Sequence, residues 1–312
     1  MMKKNSAVLL AGMMAVSLAA CGESSEAPAE NSAAATAAVA AATAAETSAD
    51  ETTAAADTTA AAAVTTADAD AAAPTFDLSA DPYAGDGVLT VGLNATFPPF
   101  EYVGDDGNPT GFDVAMMQEI GSRLGLTVEI EDMDFDGIVG AIGNKIDVAA
   151  TGMTITDERK EAVNFSDPYY DATQSVLLPA DSAAASKEDL AGLTVGVQAG
   201  TTGEMVAEGV EGIGEIVSVK SFNQAVLDLV NGKNDAVIID AVPAKAFLSQ
   251  YPDALKIVDG ETMGFDVEQY GIAMPKDDAE LGDAINSTLK AMKDDGTYDA
   301  LVEQWINNYE AE

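Results

Sequence analysis

From Val88 to Tyr309, short apolar runs alternate with longer stretches whose apolar residues recur every three or four positions. That alternation restricts the chain to α/β architectures with open, mostly parallel sheets. VLTVGL (88–93), TVEIEDM (127–133), DVAATG (147–152), SVLLP (175–179), LTVGVQ (193–198), VSVKSF (217–222), AVIID (236–240), LKIV (255–258) and YGIAMP (270–275) read as strands. DVAMMQEIGSRLG (113–125) carries apolar residues at 114, 117, 120 and 124, a helical spacing. FDGIVGAIGNK (135–145), AVLDLVNGK (225–233), AVPAKAFLSQ (241–250), AELGDAINSTLKAMKDDG (279–296) and YDALVEQWINNY (298–309) read as helices. Two local patterns occur twice: VGLNATFPPF with VGVQAGTTGE, and GNKIDVAATG with NGKNDAVIID. The repetition predicts two similar lobes. Open α/β sheets bind ligands beyond the carboxyl ends of their strands. That rule singles out Asn94, Thr96, Phe97, Gly152, Thr154, Gln198, Thr201, Thr202 and Asp240.

The beginning of the chain is a different material. Lys3 and Lys4 precede an apolar stretch that ends in LAAC at Cys21. This layout predicts a signal peptide over residues 1–20, too short to be a stable membrane-spanning helix. LAAC resembles a bacterial lipobox, which implies lipidation of Cys21; the alternative is an ordinary secretory signal with a chance cysteine. Residues 22–75 contain nine acids, no Lys or Arg, and only Val39 and Val64 as apolar side chains beyond alanine and proline. No face of such a segment can be buried, so residues 21–75 are expected to form a lipidated, disordered tether. About 54 coil-like residues span roughly 40 Å. The folded part is therefore expected outside the cytoplasm, held to a bacterial membrane through its lipid alone.

The formal net charge is −39, with no histidine and one cysteine. Nucleic acid is disfavoured, because phosphate binding needs a basic face. The acidity serves solubility or sets up a field that draws in cationic solutes. Without histidine there is no Ser-His-Asp or Cys-His arrangement and no imidazole metal site. Asp105/Asp106, Asp277/Asp278 and Asp294/Asp295 sit beside glycines or lysines and read as solvated turns. A binding protein that is not an enzyme and carries no metal or cofactor is the expectation.

In ATGMTITDERK (150–160), Arg159 stands three residues after Thr156, where a helix would begin. Negative charge is favoured there, so an arginine is out of place unless an anion comes to it. Its planar fork matches a carboxylate bidentately. The alternative is a structural pair with Asp157 or another nearby acid. AGTTGEMV (199–206) reads as a second helix entrance, whose Thr201 and Thr202 amides could grip the same anion. Asp240 ends an apolar strand and needs a cation or donors, or else caps the following helix.

LNATFPPFEY, GFDVAMMQEI, DFDGIVGAI, DVAATGMTITDERKEAVNFSDPYY, VGVQAGTTGE, DAVIIDAVPA and YGIAMPKDD resemble the polar amino-acid-binding proteins of ABC importers, over residues 88 to 309. The resemblance implies the two-lobed periplasmic-binding-protein (Venus-flytrap) fold with the ligand in the interlobe cleft. Lobe one would comprise 76–174 and 267–312, lobe two 175–266, with crossings near 170–175 and 266–271. It also implies that Asp240 takes the ligand ammonium, helped by Thr154 and the backbone oxygen of Gly152 beside Thr151. Phe97 and Phe135 would sandwich the ligand side chain. Glu101 and Tyr102 would face its far end with Asn94 and Gln198, while Asp113 reads as a structural helix cap. The implied ligand is a polar, basic L-amino acid with arginine first; a neutral polar amino acid or cystine is the alternative. The implied partners are an ABC permease and its ATPase, served by a monomer. A receptor-feeding sensor and a dehydratase on the same fold are the rival classes.

Overall fold

The computed structural model describes residues 75–310. The signal segment, Cys21 and the tether up to residue 74 lie outside the described residues. Two sheets organise the rest. The first runs in the order Thr127–Asp132, Val88–Leu93, Val148–Ala149, Ala273–Met274, Asn164–Phe165. The second runs Glu215–Val219, Thr194–Gln198, Ala236–Asp240, Tyr170–Pro179, Leu255–Val258. We refer to the parts around these sheets as lobes one and two.

The expectation of mostly parallel sheets is corrected. In each sheet the first three strands are parallel and the remaining two are antiparallel to their neighbours. Parallel pairing needs a crossover connection, and helices do join Ala236–Asp240 to Leu255–Val258 and Val148–Ala149 to Asn164–Phe165. The antiparallel pairs arise because Tyr170–Pro179 and Ala273–Met274 lie between the strands so joined and run against both. The ten-residue strand Tyr170–Pro179 serves two roles. Its start pairs with Val267–Tyr270, and its end pairs with Ala236–Asp240 and Leu255–Val258. These two strands carry the chain between the sheets.

Several boundaries move for local reasons. The helix expected over 135–145 stops at Ala141, after which Ile142 bridges to Ile146. The strand expected over 147–152 is only Val148–Ala149, leaving Thr151 and Gly152 in irregular backbone. The strand expected over 217–222 is Glu215–Val219. Ser221 then caps a helix, Phe222–Val230, by accepting from the amide of Gln224. The run 270–275 divides into the end of Val267–Tyr270 and the separate Ala273–Met274.

The long helices follow their sequence periodicity. Phe112–Leu124 buries Phe112, Val114, Met116, Met117 and Ile120. It ends at Gly125, whose φ of 74° lets its amide turn back to the carbonyl of Gly121. Ala279–Asp294 buries Leu281, Ile285, Leu289 and Met292, one stripe at helical spacing. Between the sheets lies an aromatic cluster. Phe100, fully buried, meets Phe112, Tyr170 and Tyr270 edge-to-face, with centroids 6.1, 5.0 and 5.3 Å away. Ile120 is fully buried on the helix Phe112–Leu124. Ile120→Ala should cost about 2–5 kcal/mol, the range for emptying such a site, read as a lower urea midpoint at unchanged slope.

Candidate ligand-binding cleft

The carboxyl ends of the parallel strands of both sheets converge on one cavity. The space free of protein atoms there, counting its part open to solvent, is about 310 Å³. Lobe one lines it with Asn94, Phe97, Glu101, Phe135, Thr151, Gly152, Thr154 and Arg159; lobe two contributes Gln198, Thr201, Thr202, Phe222 and Asp240. Every residue of the expected ligand set is therefore brought to one place. Two other expectations are corrected. The Thr96 hydroxyl is turned onto Asn94 Oδ1, 2.6 Å away. Tyr102 leaves the cavity because its ring packs edge-on against Tyr309, at 5.6 Å.

Arg159 sits on the short helix Asp157–Ala162, whose first residue is preceded by the capping Thr156. Six residues are too few to separate the two ends, so Arg159 belongs equally to the last turn, where a cation is favoured. Helix position therefore does not demand an anion; burial does. Arg159 is 7% exposed. Its Nη1 donates to Thr154 O at 2.6 Å and its Nη2 to Gly200 O at 2.9 Å. Phe135 lies 5.4 Å under the guanidinium, which places this ring as a support for Arg159. Among the described residues no carboxylate forms an ion pair with it. Asp157, the nearby acid, pairs instead with Lys160. Burial lowers the pKa of Arg159, opposed by the charges of Glu268, Asp240 and Glu158.

Asp240 precedes the helix Ala241–Gln250 but caps nothing with its side chain. Its Oδ1 accepts from the Tyr270 hydroxyl at 2.6 Å. Burial, and then the charge of Glu268, push its pKa up to about 7. Glu268 itself was not singled out from the sequence. Its Oε2 accepts from the hydroxyls of Thr154 and Thr202, both at 2.7 Å, so one oxygen binds a side chain from each lobe. The sequence held a signal for it. Strand alternation places Glu268 on the same face as Tyr270, whose hydroxyl reaches Asp240. Phe222, also missed, carries no mark that distinguishes it from a core phenylalanine.

At the other end, Glu101 is 1% exposed and its Oε1 accepts from Thr151 Oγ1 at 2.8 Å. Asn94 and Gln198 are joined across the cleft: Gln198 Nε2 donates to Asn94 Oδ1 at 2.8 Å and to Lys220 O at 2.9 Å. Asn94 Oδ1 is thus occupied twice, and among the described residues the oxygen of this pair left without a donor is that of Gln198. Gly152 has a φ of 53°, and a Cβ there would meet the Phe97 ring at 2.6 Å, so only glycine fits. Its amide donates to Asp113 Oδ2 at 2.7 Å. Asp113 is accordingly a buried anchor for the cavity wall, while the cap position of its helix belongs to Gly111.

The family model of the bacterial extracellular solute-binding proteins, family 3, matches residues 89–308. The chain belongs to this family. The L-cystine-binding protein TcyJ of Escherichia coli (strain K12) is 34% identical over 227 residues, 70% of this chain and 83% of its own. The arginine-binding extracellular protein ArtP of Bacillus subtilis (strain 168) is 34% identical over 248 residues, 76% of this chain and 95% of its own. Among solved structures, a mutant of ArgBP from T. maritima is 45% identical, with a TM-score of 0.67, covering 72% of this chain and 97% of that one. The two-lobed fold of this solute-binding protein is that of its structural neighbours.

The raised pKa of Asp240 carries a stability consequence for the solute-binding protein without amino acid. A carboxyl raised in the folded state contributes stability below its unfolded value, near 3.9, and loses it as pH rises through about 7. Asp240→Asn keeps an acceptor for Tyr270 and removes the charge. The variant should gain on the native protein progressively from pH 4.5 to 8, by on the order of 4 kcal/mol at most, in urea unfolding at both pH values. A constant difference between the two proteins across that range would contradict the buried-charge account.

Proposed function

We propose that this chain captures a polar L-amino acid, arginine first, and delivers it outside the cytoplasm to an ABC permease and its ATPase. The observation that carries this reading is charge burial in one cavity: among the described residues Arg159 has no acid partner and Asp240 no cation. A zwitterion supplies both at once. Its carboxylate takes the N–H groups of Arg159 left free by the two carbonyls, three of five, together with Thr201 and Thr202 at their helix entrance. Its ammonium takes Asp240, the Gly152 carbonyl and Thr154, within reach of the Glu268 charge. Phe97 and Phe222, with centroids 5.4 Å apart, form an apolar wall for the side-chain stem, and Glu101 stands at the far end for a cationic head. The naming of ArtP as arginine-binding and the arginine-bound form of ArgBP support this assignment. The second reading, a neutral polar amino acid or cystine, is favoured by the free oxygen of Gln198 and by TcyJ. The lobes are those defined by the two sheets, with Tyr170–Pro179 and Val267–Tyr270 as the hinge. Cys21 carries the lipid, and the protein acts as a monomer.

Arg159→Ala should weaken L-arginine binding by about 2–5 kcal/mol, because the ligand carboxylate is left buried and unpaired. That is roughly 30- to several-thousand-fold in Kd by titration calorimetry. Arg159→Lys should bind poorly too, since an ammonium cannot form the fork. Binding of the folded alanine variant within about threefold of the native Kd would remove Arg159 from the site. For the anchor, Cys21→Ala should leave the chain unprocessed or release it from the membrane fraction; retention and normal processing would exclude lipid at Cys21.

A further inference from the structure

Behind the cavity wall two carboxyl groups meet with too few donors. Glu101 Oε1 is served by Thr151. Asp113 Oδ2 is served by the Gly152 amide at 2.7 Å and the Tyr169 hydroxyl at 2.8 Å. Glu101 Oε2 and Asp113 Oδ1 are buried without a donor among the described residues. The donors that serve them, Thr151 and Gly152, are adjacent in the chain, so the two carboxyls are held behind the same stretch of wall. There each acts on the other electrostatically, and neither is in an ion pair among the described residues. Two ionised carboxylates so placed repel and strand an oxygen on each; one proton between them satisfies both.

We propose that Glu101 and Asp113 share a single proton, that a cationic ligand side chain arriving at Glu101 displaces it, and that Asp113 thereby governs whether the cleft takes a cationic or a neutral side chain. The inference rests on the amino-acid reading above for the ligand, but the shared proton is a property of the chain. Burial and the charge of Asp113 raise the pKa of Glu101 well above the usual carboxylate range, with Asp240 adding to the effect. Burial pushes Asp113 up to about 6 against the stabilising Gly152 amide and Tyr169 hydroxyl. The other titratable groups facing the pair are the phenols of Tyr169 and Tyr298, themselves raised.

The linkage has a definite sign. A guanidinium binds the deprotonated pair, so its binding releases a proton and its affinity rises with pH until the pair is ionised. A neutral amide side chain binds with the shared proton in place, and its N–H donates to Glu101. Asp240 also titrates near neutrality, but it meets the ammonium of either ligand. The difference between arginine and glutamine therefore isolates the pair.

Calorimetry of L-arginine and L-glutamine binding at pH 7, in buffers of different ionisation enthalpy, counts the protons released. Arginine should release about one proton more than glutamine. In Asp113→Asn the amide oxygen still accepts from Gly152 and Tyr169, and its N–H replaces the shared proton with one that cannot leave. The arginine–glutamine difference should then vanish. Equal proton counts in the native protein, or binding of glutamine alone, would overturn the displacement. Carboxyl carbon NMR of the native protein without amino acid decides the shared proton separately. One proton held by the pair at pH 7 supports it, and two ionised resonances overturn it. If neither amino acid binds, the ligand assignment fails, and this spectrum still decides whether the pair holds a proton.

Discussion

Charges buried without an opposite partner are the constraint around which this cleft is built. Arg159, Asp240 and Glu101 are 7, 6 and 1% exposed, and none is in an ion pair among the described residues. An ionised group removed from water is costly unless it is paired or hydrogen-bonded. The fold answers each case differently. Arg159 rests on two backbone carbonyls and an aromatic face. Asp240 rests on the hydroxyl of Tyr270. Asp113, behind Glu101, rests on an amide and the hydroxyl of Tyr169. The rings of Tyr169 and Tyr270 lie 6.1 Å apart, packed into the aromatic cluster around Phe100. One cluster thus serves as core between the sheets and holds two of the donors that make the buried aspartates tolerable.

Much of this arrangement was legible in the sequence, and the reasons are physical. The period of apolar residues distinguishes strand from helix, and the rule that ligands bind at strand ends locates Asn94, Gln198 and Asp240 before any contact is known. The antiparallel halves of the sheets were not legible, because a short apolar run is silent about the direction of its neighbour. Arg159 was recognised for a reason that the structure replaces: burial, not its place on a helix, leaves it short of an anion. Asn94 and Gln198 showed as polar strand ends, but which lone pairs remain free depends on pairing across the cleft, between residues 104 positions apart in the chain. Glu268 was hidden among many acids. It differs from them only in sharing a strand face with Tyr270.

The two ends of the cavity do different chemical work. On the proposed reading, the Arg159–Asp240 end is matched to groups common to every α-amino acid, so it supplies affinity without choosing among side chains. Choice lies at the Glu101 end, where the polar partners are a buried carboxyl and one amide oxygen. A carboxylate side chain meets no positive group there among the described residues and would be repelled. A guanidinium or an amide finds a partner in each case, which is consistent with relatives named for arginine and for cystine sharing about a third of their residues with this chain. A change in the charge state of one carboxyl can separate ligand classes at unchanged shape.

Closure and binding draw on the same atoms. Between the lobes the chain itself supplies Arg159 Nη2 to Gly200 O, Gln198 to Asn94, and Lys220 to Asp136 and Asp134 at 2.7 and 3.4 Å. The Lys220 pairs are exposed and screened by salt, so they bias the equilibrium little. The buried contacts weigh more, and they involve residues of the proposed site. A ligand shifts two lobes together only through contacts it makes better in the closed state. On the proposed reading, the carboxylate lies between Arg159 of lobe one and Thr202 of lobe two, and the ammonium lies between Thr154 of lobe one and Asp240 of lobe two. Each charge of the zwitterion then straddles the cleft. A ligand lacking either charge would lose affinity and, with it, one of the two bridges that hold the lobes closed.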